Sequence, residues 1–310
     1  MIRYFKKLIP ILLVFTSSFL SNTNAKDAEI RGINWFGLET EAKVLQCTWA
    51  HSVDWNLDLI SSLNFNYIRL PFSVEYIMEG NYHNMDEFFT KIQDFPEISV
   101  ALDLHRLHST HQSPKPYDGR YSFDDFLSAW ETVLERYYDN PSLKAVDIFN
   151  EFQSSSYPEW NGLARQTVNY IESNFPDRFV YFVGGVQWGG NLHYVDLSDL
   201  PFSDRVFYSI HKYWWSDSEP DIESKWDYSF GDIDLPIVNV GEWGFKSTSV
   251  FETDWAVKFV QYLKEKDITD SFFWTWSPNS GDTGGILYDD CTTVDKKKME
   301  VLETLWFDNN

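Results

Sequence analysis

Val146-Asp147-Ile148-Phe149-Asn150-Glu151-Phe152 is the stretch on which the reading of this chain turns. Its first half is β-branched and largely apolar, as a buried parallel strand requires. It then delivers Asn150 and Glu151 side by side, ahead of the polar turn 153–156. A carboxyl presented where a buried strand runs out stands at a cavity mouth, where desolvation raises its pKa and fits it to donate a proton. Alone, Glu151 reads equally well as the plain end of a strand. A second stretch changes that balance. Pro236-Ile237-Val238-Asn239-Val240-Gly241-Glu242-Trp243-Gly244-Phe245 is again an apolar run that ends in a glutamate, Glu242. Two carboxylates on separate strand ends are what acid-assisted glycosidic cleavage needs, one to protonate the leaving oxygen and one to attack or to activate water.

Working outward, the same kind of segment recurs: a short β-rich run, a polar loop, then a helical pattern. The expected strands are Ile30–Phe36, Tyr67–Pro71, Ile98–Leu104, Ala145–Asn150, Phe179–Val183, Val206–Ile210, Ile237–Val240 and Phe272–Trp276. Between them lie amphipathic stretches at Trp55–Leu63, Phe123–Tyr138, Trp160–Phe175, Phe251–Lys266 and Asp295–Leu305, with a shorter one at Met85–Ile92 and a marginal one at Asn191–Leu200. Eight strands alternating with helices predict an α/β fold, a single (β/α)8 barrel, whose chemistry gathers at the C-terminal ends of the strands. A doubly wound open sheet is the alternative, but it calls for a Gly-rich phosphate loop, and no Gly-x-Gly-x-x-Gly is present.

The first residues stand apart from that domain. Arg3, Lys6 and Lys7 precede a mostly apolar Leu8–Leu20, and Thr23-Asn24-Ala25 ends on a small residue. This is the layout of a secretory signal peptide spanning residues 1–25, so the mature chain, residues 26–310, is expected outside the cell with no membrane anchor. Loss of those three cations takes the formal charge from −22 to −25, a surface that repels nucleic acid and anionic membranes and tolerates a neutral substrate. Trp is abundant, at 14 residues, beyond what a core needs when Leu would serve, and this points to aromatic platforms for sugar rings. A monomer is expected.

Read together, the expected strand ends carry one polar constellation. The first strand leads to Asn34, Trp35, Glu39 and later Trp49; the second carries Arg69; the third runs into Asp103 and His105. Gln187 and Trp188 follow the fifth, His211 and Tyr213 the sixth, and Trp274 and Trp276 the eighth. Singly, each has an ordinary structural explanation. Jointly, Arg69 within Ile-Arg-Leu-Pro, His105, Asn150–Glu151, His211-x-Tyr213, Glu242 and Trp276 resemble the pattern of glycoside hydrolase family 5. Within it, Ile33-Asn34-Trp35-Phe36-Gly37-Leu38-Glu39-Thr40 and Ser280-Gly281-Asp282-Thr283-Gly284-Gly285-Ile286-Leu287 are similar to segments of the bacterial-type endo-β-1,4-glucanases, and the likeness runs from about Ile30 to Asp295.

The resemblance implies a retaining double displacement on β-1,4-glucan, with Glu151 as acid/base and Glu242 as nucleophile. It implies that Arg69 and the Tyr213 hydroxyl pair with the charge on Glu242, that Asn150 bonds the sugar 2-hydroxyl, and that His105 and His211 orient groups around the pair. Trp276, Trp49 and Trp188 would stack on glucose units, with Gln187 beside them. No metal or organic cofactor is implied. The spacing His105-x-x-His108-x-x-His111 lacks an acidic partner at ligand spacing, so no metal site is expected there. No carbohydrate-binding module is expected beside the barrel, which favours soluble or amorphous glucan over crystalline cellulose. β-Mannan, xyloglucan or mixed-linkage glucan are the competing substrates, and a catalytically silent sugar-binding protein is the competing class. Cys47 follows the first strand and Cys291 the eighth; barrel closure makes those strands neighbours, so the two are expected to form a disulfide.

Overall fold

The computed structural model describes residues 29–217 and 221–307, so the expected signal segment Met1–Ala25 lies outside the described residues. Eight parallel strands, β1 (Arg31–Asn34), β2 (Tyr67–Ser73), β3 (Ser99–Arg106), β4 (Leu143–Asp147), β5 (Val180–Gly184), β6 (Val206–Lys212), β7 (Val238–Trp243) and β8 (Ser271–Phe273), close into a barrel in chain order. The closing pair is β1 with β8, Arg31 facing Ser271 and Ile33 facing Phe273. Outside lie α1 (Val53–Ser62), α2 (Val74–Met78), α3 (His83–Lys91), α4 (Phe123–Tyr137), α5 (Tyr157–Asn174), α6 (Ile222–Trp226), α7 (Val250–Glu265) and α8 (Lys296–Trp306). The (β/α)8 expectation holds, and the open-sheet alternative falls with the closed ring. No helix among the described residues is long and apolar enough to cross a membrane.

Local sequence sets where the helices begin. Ser52, Ser73, Ser122, Ser156 and Ser249 each accept a bond from a backbone amide in the first turn of the helix that follows, and Asp295 does the same for α8. At Ser122 the return bond from Asp125 completes a capping box. The marginal helix expected at Asn191–Leu200 is absent: the segment forms turns, because its polar residues bond locally, Asn191 Oδ1 accepting from the His193 amide and Asp196 Oδ1 from that of Ser198.

The strand ends matter most for the site. β4 stops at Asp147, three residues short of the expected Asn150, because Ile148 to Asn150 leave the sheet to carry Glu151 over the barrel mouth. β7 instead continues past Val240 to Trp243, so Glu242 sits within the sheet, opposite His211 of β6. β8 ends at Phe273, well before Trp276. The bottom of the barrel is plugged by aromatics. Tyr67, Phe182 and Phe272 meet edge to face with centroids 5.5–6.4 Å apart, and small Ala101 and Ala145 make room. Gly32 is required there, since a β-carbon on it would lie 2.2 Å from the Phe272 ring.

Cys47 and Cys291 form a disulfide with Cα atoms 5.6 Å apart. Both are buried, and the bridge ties the loop after β1 to the segment after β8, across the seam where the barrel closes. Its loop spans 244 residues of chain, so the unfolded state loses much entropy on cross-linking. The double variant Cys47→Ala/Cys291→Ala is expected to lose about 2–5 kcal/mol in a denaturant melt. An unchanged midpoint, or free thiols in the unreduced denatured protein, would remove the staple from this account.

Candidate active site

The C-terminal mouth of the barrel is organised around Arg69, which β2 buries completely. Its guanidinium reaches four strand ends or their extensions. Nε donates to Asp147 Oδ2 at 2.8 Å; one terminal nitrogen donates to Glu242 Oε1 at 2.6 Å and Asn34 Oδ1 at 2.9 Å; the other donates to Asn150 Oδ1 at 2.7 Å. Asp103 Oδ2 lies 3.1 Å away as a third carboxylate. Burial works against the charge on Arg69, but Asp103, Asp147 and Glu242 outweigh it and hold the proton firmly on. The same burial pushes Asp103 up to about 7 and Asp147 up to about 6, with Arg69 pulling both back down. One guanidinium therefore organises three acids, and fixes the rotamers of Glu242 and Asn150.

His105 and His211 sit on either side of this centre. His105 Nδ1 donates to Asp103 Oδ2 at 2.6 Å, which leaves Nε2 to accept from the Asn150 amide at 3.2 Å. Burial pushes the imidazole down to about 3, so it stays neutral and keeps that tautomer. His211, also pushed down by burial, sets Nδ1 3.1 Å from Glu151 Oε1 and 3.7 Å from Glu242 Oε2. Two glycines make its slot. A β-carbon on Gly241 would lie 2.9 Å from His211 Nε2, and one on Gly189 2.9 Å from its Cγ. Gly189 also has φ +70°, which favours glycine in its own right. The Tyr213 hydroxyl donates to Glu242 Oε2 at 2.9 Å, and burial keeps its pKa well above the usual value, so it remains a donor.

Glu151 and Glu242 differ in their surroundings. Glu242 is held by Arg69 on one oxygen and Tyr213 on the other. Among the described residues Glu151 has only His211 as a direct hydrogen-bond partner, and its side chain is 19% exposed to the cleft. Burial pushes its pKa up to about 7; Arg69 draws it down and Asp282 draws it up. A carboxyl oxygen of each, together with a His211 nitrogen, lie within 4.8 Å of one another. A proton donor near neutrality thus stands across from a carboxylate held by donors, at the floor of a cleft of about 480 Å³. Trp188, Trp215 and Trp274 line the cleft, with Gln112, Gln187, Ser216 and Asp282 between them.

The description "Cellulase (glycosyl hydrolase family 5)" matches residues 23–280 of the chain. This chain belongs to glycosyl hydrolase family 5. Among family 5 relatives, an endoglucanase of Paenibacillus polymyxa is 30% identical over 90% of this chain and 83% of its own length. The endocellulase of the archaeon Pyrococcus horikoshii superposes with a TM-score of 0.81 at 29% identity, covering 90% of this chain and 92% of that one; it has also been solved with cellotetraose. The catalytic domain of the major endoglucanase of Xanthomonas campestris pv. campestris gives 0.80 at 26% identity, over 89% and 94%. The chain is a glycoside hydrolase.

Within this family 5 barrel, Arg69, His105, Asn150, Glu151, His211, Tyr213 and Glu242 meet at one centre, and Gln187 and Trp188 line its cleft. Two aromatic assignments from sequence need correction. Trp276 is fully buried, its indole nitrogen donating to Asn56 Oδ1 of α1 at 2.9 Å, so it serves the core. The strand-eight residue in the cleft is Trp274, stacked at 5.6 Å on His105 and at 5.5 Å on Phe36. The chain leaves the sheet after Phe273, so strand alternation could not choose between the two tryptophans. Trp49 is 59% exposed and lies outside the cleft lining, on the loop after β1 two residues beyond Cys47. Sequence reading passed over Asp147, Trp215, Gln112 and the electrostatic part of Asp282. Only Asp147 left a signal, as an acid inside an otherwise apolar strand.

Glu151 makes a pH-dependent contribution to stability. Its carboxyl ionises near 4.5 when unfolded and near 7 when folded, so the unfolded chain releases the proton first as pH rises. Native stability therefore falls between those two values. Glu151→Gln, which cannot ionise, is expected to match the wild type below pH 4.5 and to exceed it by roughly 1–3 kcal/mol above pH 7. Denaturant melts at pH 4 and pH 8 measure the difference; a gap that does not change with pH would mean that Glu151 is not held protonated.

Proposed function

We propose that this family 5 hydrolase is a secreted, retaining endo-β-1,4-glucanase in which Glu151 is the acid/base and Glu242 the nucleophile. The observation that carries the mechanism is the approach of the two glutamates' oxygens to within 4.8 Å, too close to seat a water between an inverting pair. In the first step Glu242, aligned by Arg69 and Tyr213, attacks the anomeric carbon while the protonated Glu151 gives its proton to the departing glycosidic oxygen. The result is a covalent glycosyl-enzyme and an ionised Glu151. In the second step that carboxylate takes a proton from water, the water oxygen displaces Glu242, and the sugar leaves with its original configuration. Asn150, pinned between Arg69 and His105, is the group to bond the sugar 2-hydroxyl, where a hydrogen bond strengthens as positive charge develops on the ring.

The choice of β-glucan rests on the cellotetraose complex of the Pyrococcus relative and on the aromatic walls Trp188, Trp215 and Trp274, which offer stacking faces to pyranose rings. Export rests on the basic–apolar–small layout of residues 1–25, on a buried disulfide, and on the extracellular relative in Xanthomonas. Reducing-sugar release from carboxymethylcellulose, glucomannan and xyloglucan, side by side, tests the substrate: carboxymethylcellulose should be cleaved fastest, and a preference for either of the others would reassign it.

The two glutamates can be told apart by their variants. Glu151→Ala keeps the nucleophile, so it should lose about 10²–10⁴-fold on natural glucan yet still cleave an aryl glycoside whose leaving group needs no proton. Added azide should then give the β-glycosyl azide. Glu242→Ala should be inactive on both substrates. The opposite pattern would exchange the roles.

The stereochemical outcome is a separate expectation. Proton NMR in the first minutes of hydrolysis should show the new reducing end as the β-anomer, and early α-anomer would mean an inverting reaction.

A further inference from the structure

The loop joining β3 to α4 holds a cluster that glycoside chemistry does not use. His108 is buried and bonds through Nε2 to Asp118 Oδ2. The exposed His111 ring stacks on His108 at 4.5 Å, 18° from parallel. One nitrogen from each imidazole and one Asp118 oxygen lie within 4.8 Å of one another. The His-x-x-His spacing has no carboxylate nearby in the chain order, but the loop turns back and supplies one ten residues after His108. Asp118 is already oriented: its other oxygen accepts from the amides of Arg120 and Tyr121 at 2.7 and 2.9 Å. Ligand carboxylates in metal sites are commonly held by such outer bonds.

We propose that His108, His111 and Asp118 bind a divalent transition-metal ion of the zinc class. Two imidazole nitrogens and one carboxylate oxygen match the borderline preference of Zn²⁺, with the remaining positions left to water, whereas Ca²⁺ and Mg²⁺ prefer all-oxygen sites. The ion takes the place of the proton that otherwise bridges His108 and Asp118. The consequence is mechanical. This loop is anchored at one side by Glu75, which accepts from Ser109 and pairs with Arg120 at 3.0 Å. On the other side Pro114 accepts from the Gln153 amide at 3.1 Å, next to the turn that carries Glu151, and Gln112 lines the cleft. Metal at its centre clamps one wall of the cleft without touching the reacting atoms.

Among the described residues, two other groups of ligand type, Glu151 with His211 and Glu242, and Asp103 with His105 and Glu242, share Glu242, which separates them experimentally. Untagged, chelator-treated protein is titrated with zinc chloride at pH 7.5 by calorimetry, and its Tm is followed in parallel. The expected result is one equivalent bound by the wild type and by Glu242→Ala, with Tm raised by roughly 5 °C at a hundredfold excess over Kd. His111→Ala, a surface change that leaves the fold intact, should abolish both effects, as should Asp118→Asn; calcium chloride should give neither. The absence of zinc binding, equal binding by His111→Ala, or its loss in Glu242→Ala would each overturn the assignment.

Discussion

A single buried guanidinium governs this barrel mouth. Arg69 cannot shed its proton, and burying it without partners would cost several kcal/mol. The chain meets that cost with three carboxylates and two amide oxygens, drawn from β1, β3, β4 with its extension, and β7. The remaining features follow from this. Burial of the acids gathered around the cation pushes Asp103 and Asp147 up, and Arg69 draws both back down. Asn150 and Glu242 are fixed because they complete the cation's coordination. Lysine could not do this, since it lacks the planar fork that addresses several acceptors at once.

Around that centre the protein separates two chemically identical side chains by environment. Glu242 is embedded in the sheet and held by an Arg and a Tyr, while Glu151 rides on an extension beyond β4 with one imidazole for company. Burial of the second without a paired cation sustains its proton, and the acidic Asp282 across the cleft adds to the effect. The loop after β5 supports this geometry under strain. Gln187 and Trp188 both adopt left-handed φ near +55° and +60° ahead of Gly189, and their amides bond to Ser154 and Phe152 on the Glu151 turn. That conformation is disfavoured for side chains other than glycine, and here the surrounding bonds impose it.

Much of the architecture was legible because it rests on local pattern. Apolar runs of strand length alternating with amphipathic segments predict a (β/α)8 barrel, and such a barrel assigns polar strand ends to one face. This brought Arg69, His105, Asn150, Glu151, His211, Tyr213 and Glu242 onto a shortlist, and the position of Cys47 and Cys291 beside the first and last strands made their pairing readable. What failed was the end of each strand. Trp274 and Trp276 are two residues apart and share a face only while the strand continues, and it stops at Phe273. Trp49 is exposed outside the cleft lining, on the irregular loop after β1, whose course no strand or helix periodicity fixes.

The sequence by itself determined the number and order of the strands, the closure seam and the types of residue at the mouth, since periodicity and composition act over a few neighbours. The tertiary structure decided the relations among distant residues. That Arg69 is shared by Asp103, Asp147 and Glu242, 34 to 173 positions away, depends on the strands' register and tilt. That Glu151 keeps its proton near neutrality depends on how deeply the barrel buries it. Asp118 returns to His108 and His111 only because Glu75 and the backbone fold the loop back on itself. Electrostatics and desolvation act through space, and the spacing of residues along a chain does not record the distances on which they depend.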